Sequence, residues 1–182
     1  MNAENIHYLN VFFGVGAIAM QIFCVVALLV LFFGPKKNAF LDFVDKHFLV
    51  LSFLMGLGAW AILIYSEIIK FLPCYLCWWQ RIFMFPMAFL YGVAFWTKDR
   101  KVIKYSLPLL LAGFYVAAYQ SFFYYFGETG SLPCDASGVS CYQHLVSEFG
   151  GYISIPMLSL TSFIFMLTLV AVAHFYGKNK ID

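Results

Sequence analysis

Charge is what this sequence has least of: Asp, Glu, Lys and Arg make up 11% of its 182 residues, against about 25% in an ordinary soluble domain. With 63% hydrophobic and 21% aromatic residues, too few polar groups remain to clothe a globule of this size in water. The chain reads as a membrane protein. The same scarcity excludes a cytosolic enzyme and a disordered chain, and five cysteines in such a length do not make a disulfide-dense secreted mini-domain. A nucleic-acid binder needs a clustered basic face, which is also missing. The N-terminus lacks the basic lead of a signal peptide, Glu4 being its only early charge, and its apolar run is too long for one. It is expected to remain as a helix.

What is present is apolar sequence in long runs. A bilayer core takes roughly 20 apolar residues per helix, and the intervals between charges supply five candidate spans, at about 9–34, 48–66, 82–97, 105–127 and 149–177. The fold class expected is all-α, a polytopic membrane protein. Span three is the shortest and should extend outward through Trp78 and Trp79, which draws Gln80 and Arg81 to the membrane edge. The basic residues then divide unevenly. Lys36, Lys37, Lys46, Lys98, Arg100, Lys101, Lys104, Lys178 and Lys180 share one side, and only Lys70 and Arg81 lie on the other. By the positive-inside rule the first group marks the cytoplasm. The N-terminus, the 67–81 turn and the 128–148 loop are therefore expected outside, and the C-terminus inside.

Within the 128–148 loop, Gly130, Pro133 and Gly138 supply turn chemistry. Tyr142, Leu145, Val146 and Phe149 then form a helical apolar stripe. The stripe reads either as a short helix lying on the outer surface or as the frayed start of span five.

Four of the five cysteines fall in the outward segments: Cys74 and Cys77 as Cys-Tyr-Leu-Cys, and Cys134 and Cys141 with six residues between them. Outside a bacterial-type inner membrane, disulfides form and persist, so two redox pairs fit this topology. Cys24 lies among Ile22, Phe23, Val25 and Val26 in span one and reads as a structural thiol. The Cys-x-x-Cys spacing places two sulfurs within one helical turn, so that one attacks while the other leaves. Arg81 follows Cys77 at i, i+4 and shares its helix face. There a guanidinium favours a thiolate and donates to a carbonyl or anion beside it; alternatively it is a headgroup anchor.

Other uses of these residues fit less well. Structural zinc prefers two closely spaced knuckles, which the second pair is not. A c-type haem needs His directly after the second cysteine, where Trp78 stands. Ion and proton paths are marked by ionisable residues inside the spans, and the span interiors offer only the neutral amides Gln21 and Gln120, with Arg81 and Glu67 at the edges. Purely structural disulfides in a non-enzymatic membrane scaffold remain an alternative. So does a thiol–quinone protein similar to vitamin K epoxide reductase, although in that family the loop pair precedes the Cys-x-x-Cys and here it follows.

The string Pro73-Cys-Tyr-Leu-Cys-Trp-Trp-Gln-Arg81 resembles the bacterial disulfide bond formation protein B family, DsbB and its BdbC-like relatives. The similarity continues through Cys134, Cys141 and Gly151-Tyr-Ile-Ser-Ile-Pro156 and covers about residues 45–178. It implies a four-helix bundle at 41–182 that reoxidises a thioredoxin-fold, DsbA-like thiol oxidase outside the inner membrane and passes electrons to a membrane quinone, ubiquinone or menaquinone. Carried over by position, Cys134 resembles the cysteine that exchanges with the partner and Cys141 its disulfide mate. Cys74 and Cys77 resemble the membrane-proximal pair, with Cys77 meeting the quinone, Arg81 as the quinone-side cation and Gln80 framing that site. Two departures stand out: residues 1–40 add a helix relative to a four-helix member, and the second cysteine pair is much closer together than in the best-known branch of the family. Electron import from the cytoplasm would need thiols reachable from inside. Apart from buried Cys24 there are none, which favours oxidation over reduction. Membrane lipid is the remaining partner expected; nucleic acid and metal are not.

Overall fold

A computed structural model of the chain describes residues 3–35, 37–61, 63–70, 73–127 and 149–177. Every element among them is helical: α1 (Ala3–Phe33), α2 (Ala39–Trp60), a π-helical turn (Ile64–Ile68), α3 (Tyr75–Thr97), α4 (Val102–Phe126) and α5 (Ile155–Ala171), which runs on as a π-helical turn over Val172–Tyr176. Three stretches, Glu4–Phe33, Val102–Phe126 and Ile155–Tyr176, are long and apolar enough to cross a membrane. The outward faces of the helices carry large apolar side chains, with Phe33 and Trp96 each 85% exposed and Phe126 77%. In water such a surface would aggregate; it is the surface of an all-α polytopic membrane protein.

Contacts of α2 with α3, α3 with α4, α4 with α5 and α5 with α2 close a four-helix ring. Its core is built on Phe48, Met87, Tyr91, Leu110, Phe163 and Met166. Lipid gives helices little reason to associate through burial alone, so close backbone approach and polar contacts carry the packing. Gly56 provides such an approach, because a Cβ there would stand 2.7 Å from the Ala88 backbone nitrogen on α3. Tyr91 and Ser106 supply a buried hydroxyl pair at 2.8 Å between α3 and α4.

Helix α1 lies outside the ring, mainly against α5. An amide facing lipid would be costly, and Gln21 avoids that cost by tying α1 to α5 and to the turn that leads into it. It donates to Thr161 Oγ1 at 2.8 Å and accepts from the Tyr152 hydroxyl at 2.9 Å.

Two expected boundaries are corrected. Span two begins at Ala39, not near 48, and its α-helix ends at Trp60. Asn38 caps it by accepting from Phe40 N at 2.9 Å. The charges Asp42, Asp45 and Lys46, which break the apolar run in sequence, lie within its first turns, with Asp45 buried and paired to Arg100. Span five begins at Ile155, not at 149. Phe149, Gly150 and Gly151 all take left-handed φ values of +53°, +71° and +88°, a turn that ends where Ser154 caps α5 by accepting from Met157 N at 3.3 Å. Phe149 therefore does not continue a helix, and the rest of its stripe, 142–148, lies outside the described residues.

Candidate thiol redox site

Pro73 and the extended conformation of Cys74 (φ −73°, ψ 169°) make Cys74 the N-cap of α3. The first backbone bond of the helix runs from Trp78 N to Cys74 O at 3.2 Å. Cys77 therefore falls in the first turn, directly over Cys74, and the two sulfurs are 3.2 Å apart. Formation of a disulfide, with sulfurs about 2.05 Å apart, requires only a small approach. Both sulfurs sit at the positive end of the α3 dipole. Cys74 is 4% exposed, and Cys77 is half-buried.

From the C-terminal part of α4, Gln120 reaches this pair. It is 1% exposed, and its Nε2 donates to Cys74 Sγ at 3.4 Å and to Cys77 Sγ at 3.6 Å. Gln80, one turn into α3 and also buried, donates its own Nε2 to Gln120 Oε1 at 2.6 Å. Gln80 thus meets the sulfurs through Gln120. The sequence places Gln80 at the site but shows Gln120 only as a neutral amide within a span. The signal that points to it is an amide in an otherwise apolar run, which a membrane interior tolerates only when it has a partner.

Arg81 occupies the next position on α3. Its Nη2 donates to Ser66 Oγ at 3.2 Å, and its guanidinium carbon lies 5.2 Å from the centre of the Trp78 ring. Ser66 belongs to the π-helical turn after α2, where Leu63 O and Glu67 Oε1 are both 3.3 Å from its hydroxyl. The cation and the thiol pair are thus neighbours along one helix, but the guanidinium is held by Ser66 and Trp78 and not by Cys77. Cys24 is 3% exposed on α1, and Cys134 and Cys141 lie outside the described residues. Among the described residues, no three His, Cys, Asp or Glu are grouped to hold a metal ion.

Two vicinal thiols at a helix N-terminus, bonded by a buried amide at the rim of a membrane bundle, define a membrane protein built for thiol–disulfide exchange. The profile of the disulfide bond formation protein DsbB family matches residues 45–174, well over half of the chain. Disulfide bond formation protein C of Bacillus subtilis is 41% identical over 110 residues, covering 58% of this chain and 75% of its own length. Probable disulfide formation protein C 2 of Bacillus anthracis is 33% identical over 139 residues, covering 75% of this chain and 98% of its own. The SPbeta prophage-derived disulfide bond formation protein B of Bacillus subtilis is 36% identical over 121 residues, covering 66% and 80%. No solved structure matches the chain. The chain belongs to the DsbB family and is a disulfide-forming oxidoreductase of a membrane. The family match begins within α2, so α1 lies outside it.

Proposed function

We propose that this protein is a thiol:quinone oxidoreductase of the bacterial inner membrane that reoxidises a thioredoxin-fold thiol oxidase on the outer side of that membrane. The observation that carries the reading is the placement of Cys74 and Cys77, 3.2 Å apart at the bundle rim, one helical turn from a cation with donors to spare. A guanidinium carries five N–H donors. Ser66 engages one side of Arg81, and the remaining donors suit a carbonyl oxygen at the membrane edge. Trp78, 54% exposed beneath the guanidinium, adds a flat apolar face, so the residues present fit a quinone head. When bound, a quinone supplies a bilayer-soluble acceptor of two electrons and two protons.

The chain's part follows from its two cysteine pairs. Cys134 exchanges with the partner in water and Cys141 is its disulfide mate. The electrons then pass inward to Cys74 and Cys77, whose dithiol loses two electrons and two protons as it closes to a disulfide. Cys77 and Arg81 would meet a bound quinone, Arg81 offering its free guanidinium donors to a carbonyl or anion beside Cys77, and Gln80 would frame that site from the same helix. Residues 1–40 form an added helix on a bundle of 41–182, with the N-terminus outside and the C-terminus in the cytoplasm.

The deciding experiment uses the purified full chain with a reduced thioredoxin-fold oxidase and a short-chain ubiquinone or menaquinone analogue. Quinol formation matched one-to-one by disulfide formed in the partner is expected. A chain that oxidises no partner thiols with either quinone overturns the reading in favour of a structural role for the cysteines.

A further inference from the structure

Gln120 is the buried polar group in closest relation to the cysteines, and it is 46 positions from Cys74 in sequence. A carboxamide buried in a membrane bundle must satisfy both of its ends. Its oxygen is committed to Gln80 at 2.6 Å, which fixes the NH2 group on the opposite side, toward the sulfurs at 3.4 and 3.6 Å. A neutral thiol is a weak acceptor, whereas a hydrogen bond to an ionised acceptor is roughly twice as strong. The contact therefore favours the thiolate over the thiol on whichever cysteine carries the charge. A lysine or arginine in its place would add a buried cation with a large desolvation cost; an amide adds a donor without a charge.

We infer that Gln120 is a catalytic residue of thiol exchange, stabilising the thiolate that forms on Cys74 or Cys77 as their disulfide opens, and that Gln80 is the positioning residue that aims it. This rests on Cys74 and Cys77 being a redox pair. In the step concerned, an incoming thiolate bonds to one sulfur of the Cys74–Cys77 disulfide. The bond between Cys74 and Cys77 breaks, and the other sulfur leaves with the electron pair. This leaves a mixed disulfide and one thiolate; the mate of the incoming thiol then attacks the mixed disulfide and releases the second sulfur, so that the incoming pair is oxidised by two electrons and the Cys74–Cys77 pair reduced by two. Because Nε2 is nearly equidistant from both sulfurs, the leaving thiolate meets the same donor in either direction of exchange.

The test is the pH dependence of Cys77 alkylation by iodoacetamide, read by mass spectrometry on the full-length protein in detergent after reduction with dithiothreitol. For Gln120→Leu the rate near neutral pH is expected to fall about tenfold, in line with one hydrogen bond to a charged atom, and the inflection to move to higher pH. Gln120→Met, unbranched and closer in shape, should behave alike and carries the test if the leucine variant does not fold. Gln80→Leu should shift the profile in the same direction but less, since it disorients the donor without removing it. Profiles for Gln120→Leu and Gln120→Met that superimpose on the parent overturn the inference. Alkylation requires neither quinone nor partner, so a shifted profile in a chain without quinone turnover would count against the proposed function alone.

Discussion

Asp45 of α2 and Arg100, in the turn between α3 and α4, form an ion pair at the end of the bundle opposite the cysteines. The carboxylate is 9% exposed and the guanidinium 45%. Arg100 also donates to Ala173 O at 3.3 Å on the π-helical end of α5 and lies 5.7 Å from the centre of the Phe48 ring. One side chain therefore ties three segments at this face.

Removing the cation leaves the more buried partner without a counter-charge. Arg100→Ala is expected to cost about 1–3 kcal/mol, kept below the range for fully buried pairs because nearly half of the guanidinium meets solvent. Asp45→Asn should cost less, since it neutralises the buried member. Thermal unfolding in detergent is the measurement, and an Arg100→Ala protein that melts with the parent would show that the pair contributes nothing to stability.

Gly56 sets a steric limit. Its hydrogen faces the α3 backbone at Ala88, and a methyl there would stand 2.7 Å from the amide nitrogen. Gly56→Ala must push two helices apart and is expected to cost about 1–3 kcal/mol. Gly58, on the same helix, is the control, because a Cβ added there would meet nothing within 4 Å. Gly58→Ala should be neutral or gain up to about 1 kcal/mol, so the melting temperature should fall for the first variant and hold or rise for the second.

For Arg81 the expected loss is functional. One charged hydrogen bond in a poorly hydrated site contributes roughly 1.5–3 kcal/mol, so Arg81→Ala should weaken quinone use about 10- to 100-fold with folding intact. Arg81→Lys should recover only part, because a point charge does not reproduce the planar fork. Ser66→Ala, which frees the guanidinium without removing it, should raise the apparent KM for quinone more than it lowers kcat. Steady-state oxidation of a reduced partner across quinone concentrations reads all three, and unchanged constants in Arg81→Ala would return the residue to a headgroup anchor.

The partner-facing role proposed for the 128–148 loop is tested by trapping. Cys141→Ser should accumulate a mixed disulfide between Cys134 and a thioredoxin-fold oxidase, visible on non-reducing gels and lost with dithiothreitol. A trapped species that forms only through Cys74 or Cys77 reverses the assignment of the two pairs.

Orientation is open to direct labelling. In a chain whose own cysteines are serine, Lys101→Cys should resist an impermeant maleimide added to intact cells and react after the membrane is opened. Strong labelling from outside would invert the proposed topology.

Much of this protein is legible without coordinates, because a bilayer restricts what a sequence is able to do. Charges are costly in hydrocarbon, so the gaps between them disclose the helices, and the Cys-x-x-Cys spacing places two sulfurs in one turn by helical geometry alone. The same rule misplaces residues 39–47. Asp42, Asp45 and Lys46 mark that run as aqueous, whereas Asp45 is buried beside Arg100, 55 positions away. The cap at Ser154 and the left-handed turn before it likewise depend on backbone angles that apolar patterning does not encode. Sequence by itself determined the helical membrane class and the thiol pair at the head of α3, since both follow from local periodicity and solvation. The tertiary structure alone decided that Gln120 meets both sulfurs, that Gln80 bonds to Gln120, and that Arg81 rests on Ser66 and Trp78. Apart from the Arg81–Trp78 contact within one helix, those relations join separate elements, and only the packing of α3 against α4 and against the turn after α2 brings their side chains within hydrogen-bonding distance.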